Sequence, residues 1–402
     1  MIKVAVLGYG TVGSGVVEVI EQNKEQVNKK AGDCLEVKYI LDLRDFPGDP
    51  YENKVVHDFN VIVDDPEVQI VCETMGGTGA AYKFTKACLE AGKSVCTSNK
   101  ALVAEYGPEL LKIAEEKNCN YLFEASVGGG IPIIRTLNSC LTAEKIEAIV
   151  GILNGTTNYM LSKMEKEGAE YADVLKKAQE KGYAEADPTA DVEGYDACRK
   201  IAILSSLMTG KNVNYEKIST QGITHISAMD FEYAKAAGKS IKLLAISKLE
   251  GEQLLAMVAP AMIDKESPLS MINGVFNGVL VTGNMLGDSM YYGKGAGKLP
   301  TASAVVGDVV ECAKHLGKNI KCHWDADEVE LVDVKKSRRA FYVRAQASAM
   351  NEIKKAIPNG EVVQLADYSD EFAYFTPVMV EEELDRKLEA VHQQVLSVIR
   401  LA

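Results

Sequence analysis

A glycine-rich loop directly follows the first apolar run of the chain, in the sequence MIKVAVLGYGTVGSG. Residues 2–7 are almost wholly apolar, as expected for a parallel strand that is buried on both faces. Gly8, Gly10 and Gly13 then satisfy the G-x-G-x-x-G spacing, and a stretch with helical periodicity comes after them. Such glycines allow a tight turn, the close approach of a pyrophosphate, and close packing of helix on strand. The alternative is a tight strand-to-helix turn that binds no ligand.

We predict a dinucleotide site at this loop, with the pyrophosphate at the N-terminus of the following helix. The residues predicted to contact the cofactor here are Gly8, Gly10, Thr11, Val12 and Gly13. Further apolar runs, separated by helical patterns, lie at 35–41, 68–75, 94–100 and 120–128. This alternation predicts an α/β fold with a parallel sheet, a Rossmann-type dinucleotide-binding domain over residues 1–132.

The pattern changes after residue 132 to a mixture of strands and helices. It predicts an α+β domain over residues 133–299. After the segment CHWDADE, the predicted order of elements is βαββαβ. That order is typical of a ferredoxin-like domain, and we assign it to residues 320–402.

Composition excludes several classes of function. A net charge of −13 leaves no basic stripe that could neutralise the phosphates of a nucleic acid. The nine Cys form no CxxC pair and the five His have no paired spacing, which disfavours a disulfide framework and a zinc site. No uncharged apolar run approaches the roughly 18–20 residues that span a bilayer, and the N-terminus lacks the features of a signal peptide. We therefore expect a cytoplasmic protein that binds a small molecule, and neither nucleic acid nor membrane.

Several predicted strands end in polar residues or glycines, at the edge where open parallel sheets bind ligands. The second strand ends in LDLRD, where Asp42 suits a ribose hydroxyl and NAD, whereas Arg44 suits a 2′-phosphate and NADP. We favour Arg44, and the alternative is that both are exposed strand-end charges. Met75 and Gly76 in ETMGG are predicted cofactor contacts. Lys100 in TSNKAL could neutralise a cofactor or substrate group, or could lie in solvent at the start of a helix.

Two later loops have the composition of binding segments. In FEASVGGGIPII, three glycines follow Glu124, and such a backbone can present carbonyl oxygens to a ligand or form a flexible crossover. In LNGTTNYM, small hydrogen-bonding side chains such as Asn154 and Thr156 surround Gly155. They suit the carboxylate or amine of an amino acid, and the alternative is an N-capped turn at the start of a helix.

The segment GYAEADPTADVEGYDACRK, residues 182–200, places five carboxylates before an Arg-Lys pair. Glu185 precedes an Asp-Pro pair and is predicted in a loop, and Asp191 suits the start of the next helix. Asp196 and Lys200 share one face of that helix at i, i+4 spacing, on a stripe that is partly apolar. A lysine held by an aspartate on such a stripe is a candidate proton donor. The alternative is a surface ion pair of little energetic weight.

Six segments together resemble homoserine dehydrogenases, in order from residue 2 to about 318: LGYGTVGSG, TSNKAL, FEASVGGGIPII, LNGTTNYM, GYAEADPTADVEGYDACRK and GKGAGKLPTASAVVGD. The resemblance implies reduction of L-aspartate 4-semialdehyde to L-homoserine with NADPH or NADH, in threonine, methionine and isoleucine biosynthesis. It also implies a homodimer or homotetramer, with residues 133–299 as the substrate-binding and dimerisation domain. Because the chain starts at the dinucleotide fold, we expect the monofunctional form of the enzyme.

The resemblance implies roles for individual residues. Lys200 corresponds to the proton donor and acceptor at the aldehyde oxygen, with Asp196 as its partner, and Lys100 to a position near nicotinamide and substrate. Glu185 and Asp191 correspond to acids of the substrate site, beside the predicted contacts Gly155 and Thr156. The residues implied to hold a sodium ion are Glu124, Val127, Gly129 and Ile131, the last three through the backbone. Gly297 corresponds to a cofactor contact, which implies that a helix at 300–318 completes the dinucleotide-binding domain.

Two rival functions remain to be weighed. An aspartate-semialdehyde dehydrogenase needs a Cys nucleophile paired with a His, and the sequence offers no convincing pair. A non-catalytic regulatory protein would bind NAD(P) or an amino acid without turnover. The tail at 320–402 resembles an ACT domain, but AQASAMNEI stands where many ACT domains have an acid-x-Pro-Gly turn. An oligomerising role for the tail and the binding of an effector such as threonine both stay open.

Overall fold

The chain folds into two compact units, and the computed structural model describes residues 1–251 and 253–402. The first unit comprises Met1–Glu144, Ala202–Asn214 and Gly293–Val329, and the second comprises Lys145–Ile201, Tyr215–Tyr292 and Glu330–Ala402. Of the helices in these described ranges, none combines the length and the apolarity that crossing a bilayer requires.

A parallel sheet of six strands forms the centre of the first unit. The elements up to residue 122 are β1 (Ile2–Leu7), α1 (Thr11–Gln22), α2 (Lys24–Ala31), β2 (Leu35–Leu41), β3 (Val55–Val56), α3 (Asn60–Val63), β4 (Val68–Glu73), α4 (Gly79–Glu90), β5 (Ser94–Thr97), α5 (Lys100–Glu116) and β6 (Tyr121–Leu122). The strand order is β3-β2-β1-β4-β5-β6, and each neighbouring pair is parallel. This confirms the Rossmann-type sheet, in which the order reverses beside β1 and leaves a crevice at the carboxyl ends of β1 and β4.

The predicted strand at 120–128 is much shorter in the structure. Only Tyr121–Leu122 pair with a neighbouring strand, and Glu124–Ser126 form a single helical turn. The backbone N–H of Glu124 donates to Asp308 Oδ2 at 2.8 Å, so a side chain takes the place of a strand partner. That contact joins residues far apart in sequence, which no local pattern reveals.

The middle of the chain forms helices and long antiparallel strands. Its elements are β7 (Ile146–Ile152), α6 (Gly155–Glu167), α7 (Tyr171–Glu180), α8 (Thr189–Val192), α9 (Tyr195–Thr209), β8 (Lys211–Asn212), β9 (Ser219–Thr220), α10 (Ala228–Ala236), β10 (Lys239–Glu250), β11 (Gln253–Asp264), β12 (Phe276–Gly283) and β13 (Gly287–Lys294). Strands β10 and β11 form a hairpin in register from Lys239 opposite Asp264 to Glu250 opposite Gln253. Both strands are buried along most of their length, which fits their apolar sequences.

The last part of the chain contributes to both units. Its elements are α11 (Lys298–Lys314), β14 (Asp325–Glu328), β15 (Arg338–Arg339), β16 (Phe341–Gln346), α12 (Met350–Ala356), β17 (Glu361–Val363), β18 (Glu371–Phe375), β19 (Met379–Val380), α13 (Glu381–Leu388) and β20 (Val395–Leu401). Helix α11 packs on α1 within the first unit. A Cβ on Gly15 would lie 3.0 Å from Ala302 Cβ, so the glycine allows these two helices to pack closely.

The βαββαβ order predicted near the C-terminus is confirmed by β16, α12, β17, β18, α13 and β20. The strands lie in the order β20-β16-β18-β17, as in a ferredoxin-like sheet, over a hydrophobic core of their own. Strand β20 also pairs in parallel with β11, Ala261 opposite Arg400, so both sheets become one sheet of ten strands. Residues 330–402 belong to the second unit, and the separate domain over 320–402 stays a prediction.

Residues 320–329 lie in the first unit. The indole of Trp324 is buried against Gly107 of α5, where an added Cβ would lie 2.9 Å from the ring. The ring also contacts Phe123 edge-on, with centroids 6.1 Å apart. Burial of this one large side chain therefore fixes the segment to the first unit.

Candidate active site

The glycine loop has the geometry that dinucleotide binding requires. Gly8 adopts a φ of +91°, in the left-handed region that favours glycine. A Cβ on Gly13 would lie 1.8 Å from the carbonyl oxygen of Gly8, so only glycine lets α1 start this close to β1. A Cβ on Gly10 would meet nothing within 4 Å. The space beside Gly10 is thus open for a ligand, whereas the space beside Gly13 is filled by the protein itself.

Helix α1 presents an anion-binding N-terminus at this loop. Gly10 is its N-cap, no side chain caps the first turn, and the first turn contains no acidic residue. The first backbone N–H groups of a helix have no partner within the helix, and the macrodipole favours negative charge there. Thr11 and Val12 begin the helix, so their predicted contact with a pyrophosphate fits this geometry.

The two candidates for the ribose contact bind each other. Arg44 donates from Nε to Asp42 Oδ1 and from Nη2 to Asp42 Oδ2, both at 3.0 Å. Asp42 Oδ2 also accepts the backbone N–H of Tyr9 at 2.8 Å. The Arg44 guanidinium holds the pKa of Asp42 well below its usual range. The Asp42 side chain is only 10% exposed and the Arg44 side chain 63%, so the cation faces solvent and the acid does not.

A buried carboxyl group that the sequence analysis missed joins two loops at the carboxyl edge. Glu73, the last residue of β4, accepts the backbone N–H of Met75 at 2.8 Å and the Thr97 hydroxyl at 2.5 Å. Asn99 caps α5 and donates to the carbonyl of Gly77 at 2.7 Å. Burial raises the pKa of Glu73 to about 7. Lys100 follows directly as the first residue of α5, so this network holds the Met75–Gly76 loop beside the Lys100 loop.

The loop at 124–131 lies against the start of α11. The N–H of Gly130 donates to the carbonyl of Lys294 at 3.0 Å, and a Cβ on Gly129 would lie 2.5 Å from the carbonyl oxygen of Gly295. Gly297 has a φ of +120° and is the N-cap of α11. The predicted cofactor contact Gly297 and the predicted cation loop are therefore neighbours in the first unit.

Buried charges fix this loop from within. Each carboxylate oxygen of Glu124 accepts a backbone N–H, from Ile134 and from Arg135, at 2.8 Å. Asp308 accepts the N–H of Glu124 and, at 2.6 Å, the Arg135 guanidinium. Burial raises the pKa of Glu124 and raises that of Asp308 to about 7. No pattern in the sequence singles out Asp308, which lies in an ordinary amphipathic helix.

In the second unit, Lys200 and Asp196 form a buried ion pair on α9. Lys200 Nζ donates to Asp196 Oδ2 at 2.7 Å and to the carbonyl oxygen of Leu153 at 2.8 Å. The two side chains are 11% and 10% exposed, so the alternative of a solvated surface pair is excluded. A buried ammonium held between a carboxylate and a carbonyl has a fixed position, as proton transfer to a substrate oxygen requires.

Asn154 connects Asp191 to this cluster, and Gly155 lies next to it. The side-chain amide of Asn154 donates to Asp191 Oδ1 at 2.7 Å and to Asp196 Oδ2 at 2.9 Å. Burial raises the pKa of Asp191, and the hydrogen bond from Asn154 opposes that rise. Gly155 starts α6 beside them, and a Cβ there would lie 2.8 Å from the carbonyl oxygen of Val275. Asn154 is also the N-cap of α6, so the N-capped turn is confirmed, while contact of this loop with a substrate stays a prediction.

The acidic loop is tied to α6 by Thr156. Its hydroxyl donates to the carbonyl of Tyr183 at 2.7 Å, and the Tyr183 ring meets Tyr159 edge-on at 5.0 Å between centroids. Glu185 is exposed on this loop, and among the described residues its carboxylate makes none of the hydrogen bonds that join the Lys200 cluster. The contacts of Thr156 and Tyr159 with Tyr183 therefore fix the position of the acidic loop, while the Glu185 side chain faces solvent.

Comparison with known proteins finds matches both for the segment with the dinucleotide-binding geometry and for the segment with the Lys200 cluster. The sequence model described as "Homoserine dehydrogenase, NAD binding domain" matches residues 8–124, and that described as "Homoserine dehydrogenase" matches residues 132–310. A homoserine dehydrogenase of Synechocystis sp. is 47% identical over 77% of this chain and 72% of its own length. The chain belongs to the homoserine dehydrogenase family.

Solved structures extend the similarity to the whole chain. A homoserine dehydrogenase from Thiobacillus denitrificans covers 100% of this chain and 98% of its own, at 34% identity and a TM-score of 0.90. A hyperthermophilic archaeal homoserine dehydrogenase in complex with NADPH covers 77% of this chain and 97% of its own, at 27% identity and a TM-score of 0.65. As a family member, the chain is an NAD(P)-dependent oxidoreductase.

Proposed function

We propose that this chain catalyses the reduction of L-aspartate 4-semialdehyde to L-homoserine, a step in threonine, methionine and isoleucine biosynthesis, with Lys200 as the proton donor. The observation that carries the proposal is the buried ammonium of Lys200, held between the carboxylate of Asp196 and the carbonyl of Leu153. When bound, NAD(P)H supplies the hydride that reduces the aldehyde carbon. The aldehyde oxygen then gains negative charge, which Lys200 Nζ stabilises and protonates.

The polar groups around Lys200 suit the other end of the substrate. Asp191 is a carboxylate that can accept the α-ammonium group, and Glu185 can add a second acceptor from the acidic loop. Gly155 and Thr156 at the start of α6 offer backbone N–H groups to the α-carboxylate. The resemblance to the family implies a position near nicotinamide and substrate for Lys100. Glu73 supports the loop before it. Asp191, Glu185 and the start of α6 bind and orient the substrate so that C4 and its oxygen are fixed.

The test is a 340 nm assay in which homoserine and either NAD or NADP are mixed with the purified chain. Homoserine-dependent reduction of at least one cofactor is expected. Cofactor binding with no turnover in either direction would instead favour the regulatory protein. The buried ion pair argues against that alternative. Burying two charges costs desolvation free energy, and cofactor binding alone does not require such a pair.

For the cofactor, we propose a preference for NADP, read by Arg44. The loop that contains Gly8, Gly10 and Gly13 holds the pyrophosphate, while Arg44 presents an exposed guanidinium beyond β2. Because Arg44 occupies both oxygens of Asp42, this acid is less able to accept from a free ribose 2′-hydroxyl. The remaining assigned contacts are Thr11, Val12, Met75, Gly76, Lys100 and Gly297.

Replacing Arg44 by alanine is expected to raise the KM for NADP by about 10-fold, because one charged hydrogen-bonding partner of the 2′-phosphate is lost. The KM for NAD is expected to stay the same or fall, since Asp42 is released. Initial rates at 340 nm with each cofactor measure both constants. An equal effect on both cofactors would assign Arg44 a purely structural role.

We further propose that the loop at 124–131 holds a sodium ion. Gly128 and Gly129 have positive φ, and no backbone hydrogen bond to the carbonyl of Val127 or Gly129 is found within the described ranges. Together with the carbonyl of Ile131 and the carboxylate of Glu124, these oxygens form the hard donor set that an alkali cation prefers. Glu124 already accepts two backbone bonds, so its share is limited to its remaining lone pairs. A cation there would stiffen the loop beside Gly297.

For the assembly, we propose a homodimer formed through β13. This strand ends the ten-stranded sheet, and its outer edge pairs with no strand in residues 1–251 or 253–402. Met290 and Tyr292 are 38% and 55% exposed on it, and at i, i+2 spacing they share one face of the strand.

For the location, we propose the cytoplasm. The nine thiols are free in the structure, which is typical of proteins in a reducing compartment.

Replacing Met290 by lysine is expected to shift the protein from dimer to monomer, because it places a charge on an apolar edge. Light scattering on a sizing column measures the mass directly. Leu396→Lys serves as the matched control, since Leu396 is 43% exposed on β20, at a different place in the sheet. A dimer of unchanged stability in Met290→Lys would place the interface elsewhere.

A further inference from the structure

Asn154 has a fixed orientation because of the helix that it caps. Its Oδ1 accepts the backbone N–H of Thr157 at 2.9 Å and the Thr157 hydroxyl at 3.0 Å. Only the oxygen of an asparagine amide can accept these bonds, so the amide cannot be turned over without losing the cap. Asn154 is 5% exposed, and its NH₂ group must therefore point away from the helix.

The NH₂ group of Asn154 meets two carboxylates. One contact is to Asp191 Oδ1 at 2.7 Å and the other is to Asp196 Oδ2 at 2.9 Å. The same Oδ2 of Asp196 accepts the ammonium of Lys200 at 2.7 Å. An amide NH₂ has two hydrogens and no lone pair to offer, so both acids are held as acceptors. Both hydrogens of the amide are used, and each goes to a different acid.

We propose that Asn154 is a positioning residue that holds Asp191 and Asp196 together as a pair of carboxylates and so fixes the oxygen to which Lys200 donates. This inference rests on the proposed function of Lys200. The residue acts through its neighbours, and no contact between Asn154 and the substrate is needed. It also couples the start of α6 to the first turn of α9, where Asp196 lies.

Electrostatics gives Asn154 a role beyond geometry. The charged or polar groups facing Asp191 are Asn154 and Thr156 from α6, and Asp196 and Lys200 from α9. Burial raises the pKa of Asp191 and the charge of Asp196 raises it further, whereas Asn154, Lys200 and Thr156 lower it. Without the amide, Asp191 would take up a proton at a higher pH. The acid would then lose its charge, and the ammonium group of the substrate would lose an acceptor.

The variant Asn154→Ser separates positioning from helix capping. Serine is also a good N-cap, so α6 keeps its first turn, but a serine hydroxyl is too short to bridge two acids. The expected result is a loss of kcat/KM for homoserine on the order of 10- to 100-fold, the effect of losing hydrogen bonds to charged groups. The KM for NADP should not change. The acid limb of the pH profile should move to higher pH, because the raised pKa of Asp191 rises further.

Asn138→Ser is the matched control. Asn138 is a half-buried asparagine whose amide donates to the carbonyl of Lys321, and this contact lies wholly in the first unit. The control is expected to keep the kinetic constants and the pH profile of the unsubstituted protein. A merely structural role for Asn154 would lower the melting temperature and the amount of active enzyme without moving the acid limb.

A second measurement needs no activity. The titration of Asp191, followed by carboxyl NMR in the full chain, should shift to higher pH in Asn154→Ser. An unchanged titration would overturn the inference whatever the kinetics show. An active parent enzyme with kcat/KM within twofold in Asn154→Ser would overturn it as well. An inactive parent enzyme with a shifted Asp191 titration would instead contradict the proposed function and leave the pairing of the acids established.

Discussion

Replacing Lys200 by methionine is expected to lower kcat for homoserine oxidation by about 10²- to 10⁴-fold, the range typical of a lost general acid or base. Methionine keeps the length and apolar stem of the side chain but removes the only ammonium that contacts both Asp196 and the Leu153 carbonyl in the described residues. Affinity for NADP should stay within about twofold, because the glycine loop lies in the other unit. Steady-state rates at 340 nm and fluorescence titration with NADPH measure these two quantities.

Stability must be followed in the same experiment. Removing one partner of a buried ion pair leaves the other charge without compensation and costs about 3–5 kcal/mol in typical cases. Lys200→Arg is the matched control, because it keeps the positive charge beside Asp196 but moves the donor atoms. It is expected to be stable yet still at least about tenfold slower. Full activity in either variant would remove Lys200 from the mechanism.

Replacing Gly13 by alanine is expected both to destabilise the first unit and to weaken cofactor binding. The added Cβ would lie 1.8 Å from the Gly8 carbonyl oxygen, so the backbone of the loop must move. Overpacking of this kind costs about 1–3 kcal/mol, and displacement of α1 removes its N–H groups from the pyrophosphate. Thermal unfolding and NADPH titration follow the two effects, and we expect a rise in Kd of at least about tenfold.

Replacing Gly10 by alanine is the informative contrast. Its φ of −81° is allowed for alanine, and an added Cβ meets nothing within 4 Å. The protein should therefore keep its melting temperature while its affinity for NADP falls, because the methyl group occupies the space where the pyrophosphate approaches. If affinity is retained in Gly10→Ala, the pyrophosphate lies elsewhere along the loop.

Much of the fold could be predicted because short-range patterns define it. The apolar runs of β1, β2 and β4 and the helical periodicity between them are complete within a few residues each. The βαββαβ order near the C-terminus was also predictable for this reason. The pairing of β20 with β11 could not be predicted in this way, because it joins the edges of two strands that are distant in sequence.

The candidate site divides in the same way. The pair Asp196 and Lys200 could be found because i, i+4 residues share a helix face. The pairing of Asp42 with Arg44 was missed, although only one residue separates them, because either one alone explained the strand end. Glu73 and Asp308 gave no signal, since a single acid in an apolar strand or an amphipathic helix has no distinctive spacing.

By itself, the sequence determined the glycine loop, the order of strands and helices, and the helical face that carries Asp196 and Lys200. Only the tertiary structure decided that Asn154 meets Asp191 and Asp196, which lie 37 and 42 residues further along the chain. It also decided that Lys200 rests on the carbonyl of Leu153, 47 residues away. The physical reason is that spacing fixes which side chains share a local face, whereas packing of the elements fixes which faces meet.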